Sequence, residues 1–224
     1  MGKKFFEEIE LFLFDMDGLL FDTETIYVGY GREVAKKMGY TITKDIVEKT
    51  TGVTDDKARI LFKESLGQDF PYDEMMGKVK NHILELAKKS EVPLKSGALE
   101  LLEFLRENNK EMILATSSDL FMAEALINGK DLKKYFSYFV TAEDVVHGKP
   151  DPEVFLIGAK KAGVSPEKTA VFEDSFNGIR AAHAAGTFPI MVPDKLKPTE
   201  EIEKLVYKKF NSLVEVLDYF KGNN

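Results

Sequence analysis

The chain has 224 residues, of which 44% are hydrophobic and 31% charged, with a net charge of −7 and no cysteine. That size and balance suit a soluble globular protein of one domain, or one domain carrying a smaller insert, able to bury its core unaided. The missing cysteines exclude disulfides, thiolate metal sites and cysteine nucleophiles, and the acidic balance without a long basic run argues against nucleic-acid polymers as partners.

The start, "MGKKFFEEIELFLF", is broken by the acidic "EEIE", and its apolar run is too short for a secretory signal. Phe6 stands where the myristoylation pattern needs Ser or Thr. No stretch approaches the ~20 apolar residues of a membrane span. The expectation is a cytoplasmic protein with no membrane partner, and a monomer by default.

In chain order, the first element is "LFLF" at 11–14. Short apolar runs follow at 111–115 (EMILA), 138–141 (YFVT), 169–173 (TAVFE) and 188–192 (FPIMV). Runs of this length bounded by turn signals read as buried strands. Between the later ones lie amphipathic stretches such as "GALELLEFLREN", "DPEVFLIGAKKAG" and "SFNGIRAAHAAG", the last stopping at Gly186 as a helix C-cap. Strands alternating with helices predict an α/β fold, a parallel sheet with helices on both faces. Residues 23–94 differ, because "TETIYVGYGREVAKKMG", "DDKARILFKESLG" and "YDEMMGKVKNHILELAKKS" are helical in pattern and no strand separates them. The expectation is an inserted helical cap at 22–94, hinged near Phe21–Thr23 and Val92–Ser96, on a core of 1–21 and 95–224. The tail "KKFNSLVEVLDYF" predicts a short strand and a last helix returning to the core.

Open parallel sheets bind ligands beyond the carboxyl ends of their strands. There the first strand offers Asp15 and Asp17, the second Thr116, Ser117 and Ser118. The third is followed by "HGKPDP" with Lys149, and the fourth ends in Glu173 and Asp174. Clustered carboxylates in a low dielectric need a neutralising cation. Hard oxygen donors suit Mg²⁺, which commonly takes a substrate phosphate oxygen as well. A hydroxyl, backbone N–H groups and a lysine suit the other side of a phosphoryl group. An Asp can itself be the nucleophile and form an aspartyl-phosphate.

"FDMDGLLFDTE", "ATSS", "HGKPDPEVF" and "VFEDSFNGIRAAHAAG", in this order, resemble the four motifs of the haloacid dehalogenase superfamily. The phrasing is most similar to its β-phosphoglucomutase-like phosphatases, which have a Rossmann-like core and a helical cap inserted after the first motif. The resemblance implies a Mg²⁺-dependent phosphatase acting on a small phosphorylated metabolite, a sugar phosphate or nucleoside monophosphate. It implies Asp15 as nucleophile and metal ligand, and Asp17 as general acid and base that also binds the metal through its carbonyl. Thr116 and Ser117 would hold phosphoryl oxygens, Lys149 would balance their charge, and Glu173 and Asp174 would complete the metal site. Gly52, in "TTGVTDD", matches a cap segment that approaches the substrate.

The sequence departs from the mutase pattern in the cap, with Tyr27 at a His position and Thr51 and Asp55 at two basic positions. A sugar bisphosphate needs cations for its second phosphate, and Asp55 would repel it. The sequence therefore predicts a phosphatase rather than a phosphohexomutase or a non-catalytic binder. Plainer readings exist for single residues: Thr116 and Ser117 as caps of the next helix, Glu173 and Asp174 as charges at a helix start. His82, His147 and His183 form no ligand spacing.

Overall fold

The computed structural model describes residues 2–222. In chain order its elements are α1 (Gly2–Glu8), β1 (Leu11–Phe14), α2 (Thr23–Lys37), α3 (Lys44–Thr50), α4 (Asp55–Leu66) and α5 (Tyr72–Lys88). Then come α6 (Ala98–Glu107), β2 (Glu111–Ala115), α7 (Leu120–Gly129), β3 (Tyr138–Val140), α8 (Glu153–Ala162), β4 (Thr169–Glu173) and α9 (Phe176–Ala184). The chain closes with β5 (Phe188–Met191), α10 (Glu200–Leu205), β6 (Lys208–Lys209) and α11 (Leu213–Lys221). The α/β class and the helices on both faces of a parallel sheet are as the sequence predicts.

The six strands pair in parallel in the order β3-β2-β1-β4-β5-β6. The chain runs outward from β1 to β3, then returns to the other side of β1 as β4. That reversal opens a crevice at the carboxyl ends of β1 and β4, where such sheets place their ligands. Side chains alternate across a strand. Phe12 and Phe14 therefore join the large cluster under α1, α6, α7 and α11, while Leu11 and Leu13 join the one under α8 and α9. All four β1 residues are fully buried, so the strand is anchored on both faces.

Helix α1 was not legible in advance. Its seven residues are too short to show a helical period, and it is held by Phe5 stacked on Tyr207 and Phe6 against Phe104 and Phe220. Gly186 does end α9: with φ +74° it follows Ala185, and Thr187 and Gly186 donate to the carbonyls of Ala182 and His183, a Schellman closure.

Helices α2 to α5 form a layer beyond the first strand's carboxyl end. They own a separate cluster that includes Val34, Ile42, Phe62, Phe70 and Met75. The last turns of α5 leave it, since Val79, Ile83 and Ala87 belong to the large core cluster, and α5 packs closely on α7. The two connections to this layer run antiparallel, with Asp22 N–H donating to Pro93 O and Lys95 N–H to Leu20 O.

Candidate active site

Asp15 is the first residue past β1, and its N–H still donates to Phe172 O of β4 at 3.1 Å. The ladder thus carries its carboxylate to the mouth of the crevice, where it is almost wholly buried. Lys149 reaches it from the loop after β3. Its ammonium donates to Asp15 Oδ1 at 2.5 Å, Glu173 Oε1 at 2.7 Å and Ala115 O at 3.1 Å. An ammonium has three protons, so its donors are all used. Glu173 Oε2 accepts from the N–H and hydroxyl of Ser175, both at 2.9 Å. Ser175 in turn caps α9 by accepting from Gly178 N–H.

Two glycines make these approaches possible. A side chain at Gly178 would put its first carbon 1.8 Å from Glu173 Oε1. At Gly18, whose φ is +80°, it would lie 2.4 Å from Asp174 Oδ2. Both contacts are far inside van der Waals distance, so the carboxylates occupy space that only the absence of a Cβ leaves free.

Asp15, Glu173 and Asp174 each present an oxygen within 4.8 Å of the others, and all three are buried. Glu173 is held by Lys149 and Ser175, but Asp174 accepts no hydrogen bond from any described side chain. Burial, then the charges of Glu173 and Asp15, push the Asp174 carboxyl well up. Burial also pushes Asp15 up to about 7, Lys149 pulling it back and Glu173 and Asp17 adding to the rise. Burial disfavours the charge of Lys149, but Asp15 and Glu173 outweigh it and raise its pKa. Three carboxylates against one ammonium leave excess negative charge, which a proton or a further cation must neutralise. The donors are hard oxygens around a small space, and they fit a hard divalent cation.

Asp17 points elsewhere. Its carboxylate accepts from the hydroxyls of Thr23 at 2.6 Å and Ser118 at 2.7 Å, so it stands between the start of α2 and the loop after β2. Thr116 is buried and accepts Ser118 N–H at 3.1 Å, while Ser117 is exposed. Thr116, Ser117 and Lys149 border one cavity. The plain capping reading of Thr116 and Ser117 fails, because α7 is capped by Asp119, which accepts from Met122 N–H. His147 is exposed, and only its backbone N–H is engaged, by Glu153.

The haloacid dehalogenase-like hydrolase model matches residues 12–192. The chain belongs to the haloacid dehalogenase-like hydrolase family. It is 35% identical over 182 residues to the "Phosphorylated carbohydrates phosphatase" of Thermotoga maritima, covering 80% of this chain and 82% of that protein. It is 32% identical over 200 residues to a Drosophila melanogaster protein named "Probable pseudouridine-5'-phosphatase", covering 87% and 86%. Its fold matches that of a Thermotoga maritima protein named "putative beta-phosphoglucomutase" with a TM-score of 0.77 at 31% identity, covering 96% and 99%. The sequence resemblance to this family and to its β-phosphoglucomutase-like branch holds, and the chain is an enzyme of that family. Among the described residues no helix is long and apolar enough to cross a membrane.

The side of the crevice that α2 to α5 of the hydrolase form is built more loosely. Gly52, with φ +73°, lies in the turn between α3 and α4, and its carbonyl accepts from Asn177 of α9 at 3.3 Å. It therefore meets the core at α9, and no hydrogen bond joins it to the buried carboxylates. Asp55 is not a bare charge: it accepts Tyr72 Oη at 2.8 Å and Arg59 at 3.2 Å. Arg59 also pairs with Asp56 and Asp73, so the patch remains acidic. Tyr27 and Asp55 border a space that Ser117 and Ser118 close from below. Lys80 of α5 borders it too, a cation the sequence reading did not single out.

The residues missed in advance are those that act through others: Thr23, Ser175 and Gly178. Ser175 carried a signal, a serine just before an apolar helix. Gly178 carried none, because its role depends on where Glu173 folds back.

Proposed function

We propose that the protein is a Mg²⁺-dependent phosphatase that hydrolyses a small phosphomonoester, a sugar phosphate or a nucleoside monophosphate. The observation that carries this reading is the over-charged trio Asp15, Glu173 and Asp174 around the saturated Lys149 at the sheet's reversal point. The relatives named as phosphatases of carbohydrates and of pseudouridine 5′-phosphate support the substrate range. Residues 22–94 act as the cap and the remainder as the core.

Asp15, Asp17, Glu173 and Asp174 would hold the metal, Asp17 through its carbonyl. Bound there, Mg²⁺ supplies positive charge to a phosphoryl oxygen and removes the repulsion among the carboxylates. Asp15 attacks phosphorus, and the bond from phosphorus to the alcohol oxygen breaks. Asp17 gives that oxygen its proton, so the alcohol leaves neutral and an aspartyl-phosphate remains. Asp17 then takes a proton from water, whose oxygen attacks phosphorus, and the bond to Asp15 breaks to release phosphate. The hydroxyls of Thr23 and Ser118 hold Asp17 in place for both transfers. Thr116 and the Ser117 N–H bind phosphoryl oxygens, and Lys149 offsets the charge that gathers on them. Gly52 lets the cap turn come close to the substrate.

A phosphohexomutase is the second reading, favoured by Lys80, which could take a second phosphate at the cap–core entrance. The acidic patch at Asp55 opposes it. The test is phosphate release from sugar phosphates and nucleoside monophosphates, with glucose 1-phosphate plus a bisphosphate primer in the same series. Release that stops with EDTA and returns with Mg²⁺ is the expected result. Isomerisation without release would establish the mutase, and inertness towards every substrate would overturn both readings.

A further inference from the structure

Three consecutive residues of the loop between β5 and α10 each touch a different part of the α2–α5 layer or its connections. Asp194, its side chain 5% exposed, accepts Lys95 of the second connection at 2.7 Å. Lys195 donates to Thr25 Oγ1 in the first turn of α2 at 3.0 Å. Leu196 reaches the turn between α3 and α4, where a Cβ at Gly52 would lie 3.0 Å from its Cδ1. Chain neighbours aside, nothing else among the described residues comes within 4 Å of that position. The base of the loop is fixed to the crevice floor, because Val192 N–H donates to Glu173 O at 2.8 Å.

A second line runs to the same turn. Asn177 donates to Gly52 O at 3.3 Å, and Arg180 donates to Asn177 Oδ1 at 3.3 Å. Arg180 is itself held by Glu201 of α10 through two bonds of 2.7 and 2.9 Å. Two anchors of different kinds thus meet at one glycine. Asn177 fixes direction, since a hydrogen bond weakens off its axis. Leu196 fixes distance, through an apolar contact that no side chain on Gly52 interrupts. Gly52 has a φ of +73°, so its lack of a Cβ serves both the turn and the leucine's approach. Lys195 stands 3.9 Å from Asp22, a partly exposed pair that contributes little.

We infer that Leu196, backed by Asn177, is a positioning residue: it seats the Gly52 turn over the crevice and so sets how tightly a substrate is held there. Neither side chain is acidic, basic or nucleophilic, so both act through the turn. The inference rests on the phosphatase reading above and adds to it a residue of the core that governs substrate hold.

The test compares the wild type with Leu196→Ala, Leu196→Met and Asn177→Ala, each as the full chain with Mg²⁺. On the fastest substrate of the phosphate-release series, Leu196→Ala should raise KM at least about threefold with kcat within about twofold of the wild type, since it leaves the reacting groups alone. Leu196→Met conserves volume and should bring KM back to within about twofold. Without substrate, amide exchange at Thr51, which donates to Val47 O at 2.9 Å, should be at least about threefold faster in Leu196→Ala and unchanged in β1. Asn177→Ala should move KM and exchange in the same direction, and it carries both readouts if Leu196→Ala does not fold. KM and exchange equal to the wild type's would overturn the inference and leave the phosphatase reading standing. So would a loss of kcat at constant KM, or a Met variant no better than the Ala one. A wild type that releases no phosphate would overturn the phosphatase reading and the inference with it.

Discussion

The crevice floor and the cap above it are built by opposite means. On the floor each functional group is fixed by several others. Lys149 spends every proton on Asp15, Glu173 and Ala115, and Glu173 is clasped by Ser175 over a glycine. In the cap, the polar groups nearest the crevice bind mainly one another, as Arg59 does with Asp55, Asp56 and Asp73, and the rest is apolar wall. A floor of this kind tolerates no displacement, whereas a wall of aliphatic side chains can change shape at small cost. Reaction and substrate choice are thus physically separable, and substitutions on the two sides should fail in different ways.

The largest effect should follow Asp15→Asn. Losing the nucleophile should lower kcat by at least about 10⁴-fold on every phosphomonoester, without regard to the alcohol. Thermal unfolding should show no loss of stability at pH 8, since the variant removes a carboxylate that burial makes costly to ionise. An Asn variant with full turnover would remove Asp15 from the chemistry. A smaller effect should come from Gly178→Ala, which changes no chemical group. The added carbon must push Glu173 or the start of α9 aside, and a shift of this order should cost roughly 10²-fold in kcat. It should also weaken Mg²⁺ activation, because Glu173 stands beside Asp15 and Asp174. If KM moved and kcat did not, the separation of floor from cap would be wrong.

The same asymmetry explains what could be read from the chain. Strands buried on both faces leave continuous apolar runs, so β1, β2 and β4 stand out, and the polar residues ending each run mark the rim. The order of the strands is absent from such runs, yet it alone makes the ends of β1 and β4 neighbours. Helix α1 is too short for a period and exists because Phe5 and Phe6 find aromatic partners far along the chain. In the cap, the sequence alone sets Asp55 against a second phosphate. Its engagement by Tyr72 and Arg59, and the presence of Lys80 at the entrance, depend on how α4 and α5 pack. Local pattern reports burial and turns, while roles assigned through a neighbour appear only once the neighbour is in place.

The smallest expected effect sits on the boundary between the two regions. Glu24, in the first turn of α2, lies against Asp194 of the loop after β5. Asp194 Oδ1 accepts Lys95, and its Oδ2 is buried with no hydrogen-bond partner among the described residues. Burial, followed by the negative charge of Asp194 close by, pushes Glu24 up to about 7, against the pull of Lys195 and with a further rise from Asp17. Asp174 also faces this group, and Asp22 accompanies Lys195 nearby. A carboxyl whose pKa is raised in the docked state favours docking fully below its ordinary value of 4.5, and that contribution fades as pH rises through about 7. Above pH 7 two carboxylates face each other across the cap–core seam, and docking of α2 weakens. KM should therefore rise about three- to tenfold between pH 5.5 and 8 in the wild type, in excess of any trend in kcat. Glu24→Gln keeps a donor for Asp194 at every pH and should flatten that rise. A wild-type KM that is level across this range, or a Gln variant that follows the wild-type curve, would show that the seam does not titrate and that the cap is held by its apolar packing alone.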